Sequence, residues 1–377
     1  MTRALLLFSA LALAAPQAGC RCSERPPACR LSGEPVTLPT ASSDPRLVTL
    51  AQDRRWTAAA WLEGSGDEAA VVVAKLNAVG RPVREPLRLG SGGPPPLMAA
   101  LALYREQMAV LWMAGTAHRA RLRGALISGK QVRTLEVAPP GKLTDPDVEF
   151  VGRTPWAVWA AGGAIWARAM DGSDDSRPTR LVDAGQDAFW PLLERAGNDV
   201  LLTYVTASAG YDLWLTRART IAGLARGSPG RIPGSRHLRR LEPALARDEA
   251  GAVVAWSRVT QNQTGSSHQV LAARVTPEGQ LVRYPGQFPG LGPAVAPSPG
   301  GEIAVAWLRP LTPAKGQLFF GLFTTSGAKP QRLSVEGADL SNGRPALARV
   351  AGGYTLMWVR PSGSRRELRA VHVSCRP

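Results

Sequence analysis

One aromatic residue, closing a short apolar run, returns down almost the whole chain: Trp61, Trp112, Trp159, Tyr204, Trp256, Trp307 and Trp358, at spacings of 51, 47, 45, 52, 51 and 51 residues. Most have a Pro at a near-constant distance before them. Pro146, Pro191, Pro243 and Pro345 stand 13 residues ahead, Pro293 14 ahead, and Pro45 and Pro96 16 ahead. The clearest copy is residues 243 to 279. Its first apolar run stops at a polar turn, Asp248 to Gly251, and the second, Ala252 to Trp256, has no helical periodicity, so the two read as a hairpin. A third run, Gln269 to Thr276, ends in Pro277, Glu278 and Gly279, which form tight turns at little cost. A fourth strand follows around Leu281 to Tyr284.

Seven copies of a four-strand unit at this period match a seven-bladed β-propeller, all-β, with four antiparallel strands per blade. The first strands favour small residues, as in PALAR (243 to 247), PAVAP (293 to 297) and PALAR (345 to 349). This suits innermost strands crowded around an axis. One Trp at one fixed place in every blade reads as packing between blades and not as a row of ligand platforms. Trp190 and Trp214 lie off that position and are the better surface candidates.

The first 19 residues hold Arg3 and then a 12-residue apolar run, Ala4 to Ala15, too short to span a bilayer and fitting a secretory signal. Ala18, Gly19 and Cys20 resemble the end of a bacterial lipobox, although Gln17 stands where that pattern has Leu. With the blade repeat, this resembles the seven-bladed propeller lipoproteins of Gram-negative bacteria, and PGGEIAVAW (299 to 307) is faintly similar to TolB-type repeats. The resemblance implies lipidation at Cys20 and an outer-membrane lipoprotein in the cell envelope, facing periplasm or surface. Cleavage after Ala14, releasing a soluble periplasmic or secreted protein, is the competing reading. The organisation is then a signal peptide over 1–19, a tether over 20–33 and a propeller over 34–377. There is no Trp-Asp dipeptide and no sialidase Asp-box, so neither of those repeat families is supported.

The formal net charge is +16, but only five of 45 basic residues are Lys. Such an Arg bias suits a GC-rich genome, and part of the charge reflects it. The segment Leu213 to Leu241 concentrates Arg217, Arg219, Arg226, Arg231, Arg236, Arg239 and Arg240 with His237 and no acid. Arg231, Arg236, His237, Arg239 and Arg240 are the candidate anion contacts, since guanidinium groups clamp carboxylate or phosphate bidentately; a solvated loop is the plainer reading. The four His residues show no ligand spacing, DGSDD (171 to 175) lacks the rest of a calcium loop, and no cofactor or metal is expected. No G-x-S-x-G elbow and no Walker loop occurs.

Two functions remain in view. One is a non-catalytic binding or scaffold protein at the envelope, a monomer whose partner is an envelope protein or an anionic polysaccharide such as lipopolysaccharide, with no nucleic acid expected. The other is a lyase or glycosidase acting on an anionic glycan at the mouth of the central channel. Carboxylates converging there with an Arg or His would favour the second.

The seventh repeat stops at Cys375 after three strands, while EPVTL (34 to 38) is a spare strand ahead of the first blade. We expect it to complete the last blade, removing open edges. That would bring Cys29 to Cys375 as a disulfide, with Cys22 free or an alternative partner.

Overall fold

The computed structural model describes residues 29–375, apart from 54, 91–92, 117, 172–175, 208–209, 236–240, 249–250, 263–264, 299, 326–331 and 342. Each repeat forms one antiparallel sheet. The turns follow the sequence signals. In the fifth blade Thr276 N–H donates to Gln280 O (2.9 Å) and Gly279 N–H to Thr276 O (2.8 Å), with Gly279 at φ 84°. Gly251, which starts the second strand of that blade, has no substitute: a Cβ there would lie 2.0 Å from Val275 O.

The innermost strands are Arg46–Asp53, Pro96–Tyr104, Leu143–Val151, Ala188–Ala196, Leu241–Asp248, Leu291–Pro297 and Ala346–Val350, one per blade. Each packs on the next, and the last on the first, so they ring a central axis. The marker aromatics sit on the second strands and are buried, from Trp61 at 0 % exposure to Trp159 and Tyr204 at 3 %. The core is correspondingly divided. One cluster joins Ala58, Leu62 and Val71 of the first blade to Leu101, Val110 and Trp112 of the second, and six like it fill the remaining gaps between neighbouring blades. Burying each such aromatic contributes roughly 2–3 kcal/mol. The ring is therefore held by contacts between blades as much as within them.

Closure comes from the N-terminus. Cys29–Leu31 pairs with the chain's last strand in the register Cys29↔Cys375, Arg30↔Ser374 and Leu31↔Val373. Val36 and Thr37 then pair with Ala370 and Arg369 further along the same strand. EPVTL thus does join the seventh blade, but as the second of two short pieces, and pairing starts at Cys29, within the stretch read as tether. Ser32 N–H donates to His372 O, and Leu38 N–H to Leu368 O, both at 2.9 Å. Cys29 and Cys375 form the disulfide across a sequence separation of 346 residues. Cys20 and Cys22 lie outside the described residues.

Candidate functional site at the propeller channel

The inner strands of most blades begin with an irregularity, visible as register shifts between Arg46 and Thr49, Thr144 and Asp147, Phe189 and Leu192, and Leu291 and Ala294. At these places the chain adopts left-handed backbone: Leu47 (φ 49°), Asp145 (φ 51°), Trp190 (φ 54°) and Gly292 (φ 59°). Side chains other than Gly take that conformation at a cost of about 1 kcal/mol or more, and such strain gathers where function requires a side chain re-aimed. Here it lies at one mouth of the channel.

Five blades meet there. The Arg344 guanidinium, from the connection entering the seventh blade, lies 4.1 Å over the Trp190 ring of the fourth, and its Nη1 donates to Pro243 O of the fifth at 2.6 Å. Asp145, on the third blade, is within the electrostatic reach of Arg344 and accepts from the backbone of Trp190. Burial raises its carboxyl above the usual range, against these two influences and a Thr144 hydrogen bond. Glu242 is 5 % exposed and accepts from Ser257 Oγ at 3.3 Å. Gly292 sits between them: a Cβ there would be 3.5 Å from both Arg344 Cγ and Glu242 Oε2. Arg344 therefore crosses the channel to blades that are not its neighbours.

Deeper along the channel the acids continue. Asp147 accepts from Leu193 N–H at 2.8 Å, and Glu194 from Arg195 N–H at 3.0 Å. A ring of strands admits water yet walls the carboxylates off from bulk solvent, so these half-buried side chains are poorly solvated as anions. Burial pushes Asp147 up to about 7 despite its backbone donors. Glu194 likewise rises to about 7 by burial, against the pull of Arg247, and burial together with Glu194 holds Glu149 well above the carboxylate range. Arg247 faces both glutamates and reaches Asp53 of the first blade, Nη2 to Oδ1 3.8 Å. Asp53 also accepts the backbone N–H of Arg105.

Of the candidate anion contacts, Arg231 is among the described residues, and it falls elsewhere. Arg231 lies on the outermost strand of the fourth blade, Gly230–Arg231, with Asp212 3.8 Å away. Arg217 and Arg219 both engage Asp199, Arg219 Nε at 3.1 Å, beside a recess of about 220 Å³ that also takes in Thr276 and Pro277. The segment without acids thus borrows them from neighbouring strands. Arg236, His237, Arg239 and Arg240 lie outside the described residues, as do residues 172–175 of DGSDD. Trp214 is tied to Thr206 Oγ1 at 2.9 Å on the outer half of its blade, whereas Trp190 reaches the channel mouth. Among the described residues no three His, Cys, Asp or Glu side chains are grouped to hold a metal, and no helix is long and apolar enough to cross a membrane.

Sequence reading singled out Trp190 but not Asp145, Glu242 or Arg344. A signal was present. Asp145, Trp190, Glu242 and Arg344 each stand 14 residues before their blade's marker aromatic, and Gly292 stands 15 before. The repeat itself names the mouth, and its variation there names the site.

No protein-family model and no curated protein sequence matches this chain. Among solved structures it is similar to the phage phi92 endosialidase, with a TM-score of 0.55 and 8% identity over 91% of this chain and 69% of that one. It is similar to NanB in a structure with Optactamide, with a TM-score of 0.51 and 7% identity over 73% of this chain and 67% of that one. A Dyadobacter fermentans protein of unknown function covers 92% of this chain and 99% of its own, at a TM-score of 0.49 and 11% identity. At such identities the likeness is one of fold, and the fold is a seven-bladed propeller.

Proposed function

We propose that the chain is an exported propeller, lipid-anchored at Cys20 on the cell envelope, that binds a glycan at the channel mouth without cleaving it. The observation that carries this reading is the convergence of Asp145, Trp190, Glu242 and Arg344 from separate blades. Carboxylates and a guanidinium suit sugar hydroxyls as acceptor and donor, and an indole face suits the apolar face of a pyranose ring. The arrangement favours binding over hydrolysis because Glu242 is covered. A glycosidase needs two carboxyl groups that both reach the scissile bond, one protonated and one ionised.

Hydrolysis is the second reading, favoured by the raised carboxyl of Asp145, which would then be the acid with Glu242 as the second carboxyl group. The endosialidase among the similar folds is compatible with either. Two measurements separate them. Titration calorimetry against a panel of neutral, acidic and amino-sugar oligosaccharides should find a ligand whose affinity falls at least tenfold in Trp190→Ala and Asp145→Asn. New reducing ends on prolonged incubation, lost in Asp145→Asn and Glu242→Gln alike, would establish catalysis instead. No binding to any of the panel would reject the glycan.

The anchor is tested apart from the ligand. In Cys20→Ser, membrane association should be lost on cell fractionation, because acyl chains contribute ~0.8 kcal/mol per buried methylene. Unchanged association would reject the lipid anchor.

A further inference from the structure

Arg344 occupies the mouth as a ligand would. Its guanidinium is stacked at 4.1 Å on Trp190, donates to the Pro243 carbonyl at 2.6 Å, and lies in the field of Asp145. The carboxylate of Glu242 closes the cluster on the Gly292 side. An aromatic face, two carboxylates and a backbone carbonyl make a receptor for a cation. Deeper in the channel Asp147, Glu149 and Glu194 continue the row of carboxyl groups, with Arg247 beside the two glutamates.

The manner in which Arg344 arrives matters as much. It belongs to no strand; the seventh blade's inner strand starts at Ala346. Gly343 before it has φ 111°, and a Cβ there would meet the Leu47 side chain at 2.9 Å, so the connection turns towards Arg344 at a position that requires glycine, packed against the first blade.

We propose that Arg344 is a built-in surrogate ligand, and that the mouth takes a cationic group in its place, the ammonium of an amino-sugar glycan stacked on Trp190 between Asp145 and Glu242. This rests on the reading of the mouth as a glycan site and assigns the class of glycan. Arg344 then holds the empty site closed and lowers its apparent affinity by the fraction of time it is seated.

The test compares wild type with Arg344→Met, which removes the charge and leaves a flexible apolar side chain with no cation–π hold on the indole. The probes are glucosamine oligomers, their N-acetylated counterparts and methylguanidinium, measured by calorimetry at low salt. Arg344→Met should bind the amine oligomers at least tenfold more tightly than wild type does, and Arg344→Met with Trp190→Ala should lose that gain. Binding of the N-acetylated oligomers alone would overturn the cation assignment and leave the glycan reading standing. Binding of neither sugar overturns both, and methylguanidinium bound without either sugar overturns the glycan. Should Arg344→Met be poorly folded, methylguanidinium should raise its melting temperature in proportion to the logarithm of its concentration, and a flat response would overturn the proposal.

Discussion

Arg247 at the end of the fifth blade's inner strand and Asp53 in the first blade's hairpin face each other across the channel, Nη2 to Oδ1 3.8 Å. The two blades are not neighbours in the ring, so this pair spans the axis. Arg247 is also the positive neighbour of Glu149 and Glu194. Replacing it with Met leaves these acids with their mutual repulsion and no opposing charge. Removing one partner of a buried charge cluster typically costs about 3–5 kcal/mol, and the two glutamates can escape part of this by staying protonated. Arg247→Met should therefore destabilise by about 2–4 kcal/mol at pH 8 and by clearly less at pH 5, read from urea midpoints. Equal losses at both pH values would show that Arg247 acts by packing alone.

The channel acids also set a pH dependence for the wild type. Asp147 and Glu194 are raised to about 7, and burial with the neighbouring Glu194 raises Glu149 well above the ordinary carboxylate range. A carboxyl whose folded value lies above its unfolded value binds more protons when folded. Stability from this source is therefore fully present near pH 4 and is lost as pH rises through about 7. Wild type should melt lower at pH 8 than at pH 5. The double variant Glu149→Gln and Glu194→Gln, neutral throughout, should flatten that difference and be the more stable protein at pH 8, by about 2 kcal/mol. An unchanged pH slope in the variant would mean that the glutamates are solvated as anions.

Cys375→Ser tests the closure. The bridge to Cys29 encloses 346 residues, for which loop entropy in the unfolded chain gives about 5–6 kcal/mol as an upper bound. Thermal melting should fall by several degrees, and peptide maps of the unreduced wild type should show Cys29 joined to Cys375. No loss of stability in the variant would leave the seventh blade held by its strand pairing alone.

The fold was legible because propeller packing repeats the same demand in each blade. Trp61, Trp256, Trp307 and Trp358 are the largest fully buried side chains, and they stand at the spacing that defines the repeat. The site was less legible because it consists of what differs between copies. Small inner-strand residues such as Ala244, Ala294 and Ala346 drew attention to crowding, while Asp147, Glu149 and Glu194 occupy the inner strands of two blades that depart from that pattern. Left-handed backbone at Asp145 and Trp190 leaves no mark in composition, since neither is Gly. The Arg segment read as unopposed because Asp199 pairs with it from another strand, which one-dimensional counting cannot register.

Glu63 makes a second clasp on the closing segment. At 1 % exposure it accepts from Trp61 Nε1 at 2.6 Å, Arg88 Nη1 at 2.7 Å and the backbone N–H of Ala41 at 3.1 Å. Ala41 belongs to the strap that runs from the seventh blade's last strand to the first blade's innermost one, so Glu63 ties the closure to the body of blade one. In Glu63→Ala the buried indole N–H loses its acceptor while the partly exposed Arg88 guanidinium turns to water, a loss of about 2–3 kcal/mol. Glu63→Gln keeps one acceptor oxygen and should lose only about 1–2 kcal/mol. Because Glu63 and the Cys29–Cys375 bridge secure the two ends of one strap, their losses should couple. The double variant Glu63→Gln, Cys375→Ser should lose measurably more than the two single losses together, as each clasp limits the fraying the other permits. Hydrogen exchange at Ser32 and Leu38, whose N–H groups bond the last strand, reads this directly. Unaltered protection there in the double variant would show that the strap is held by its own pairing and that neither clasp governs it.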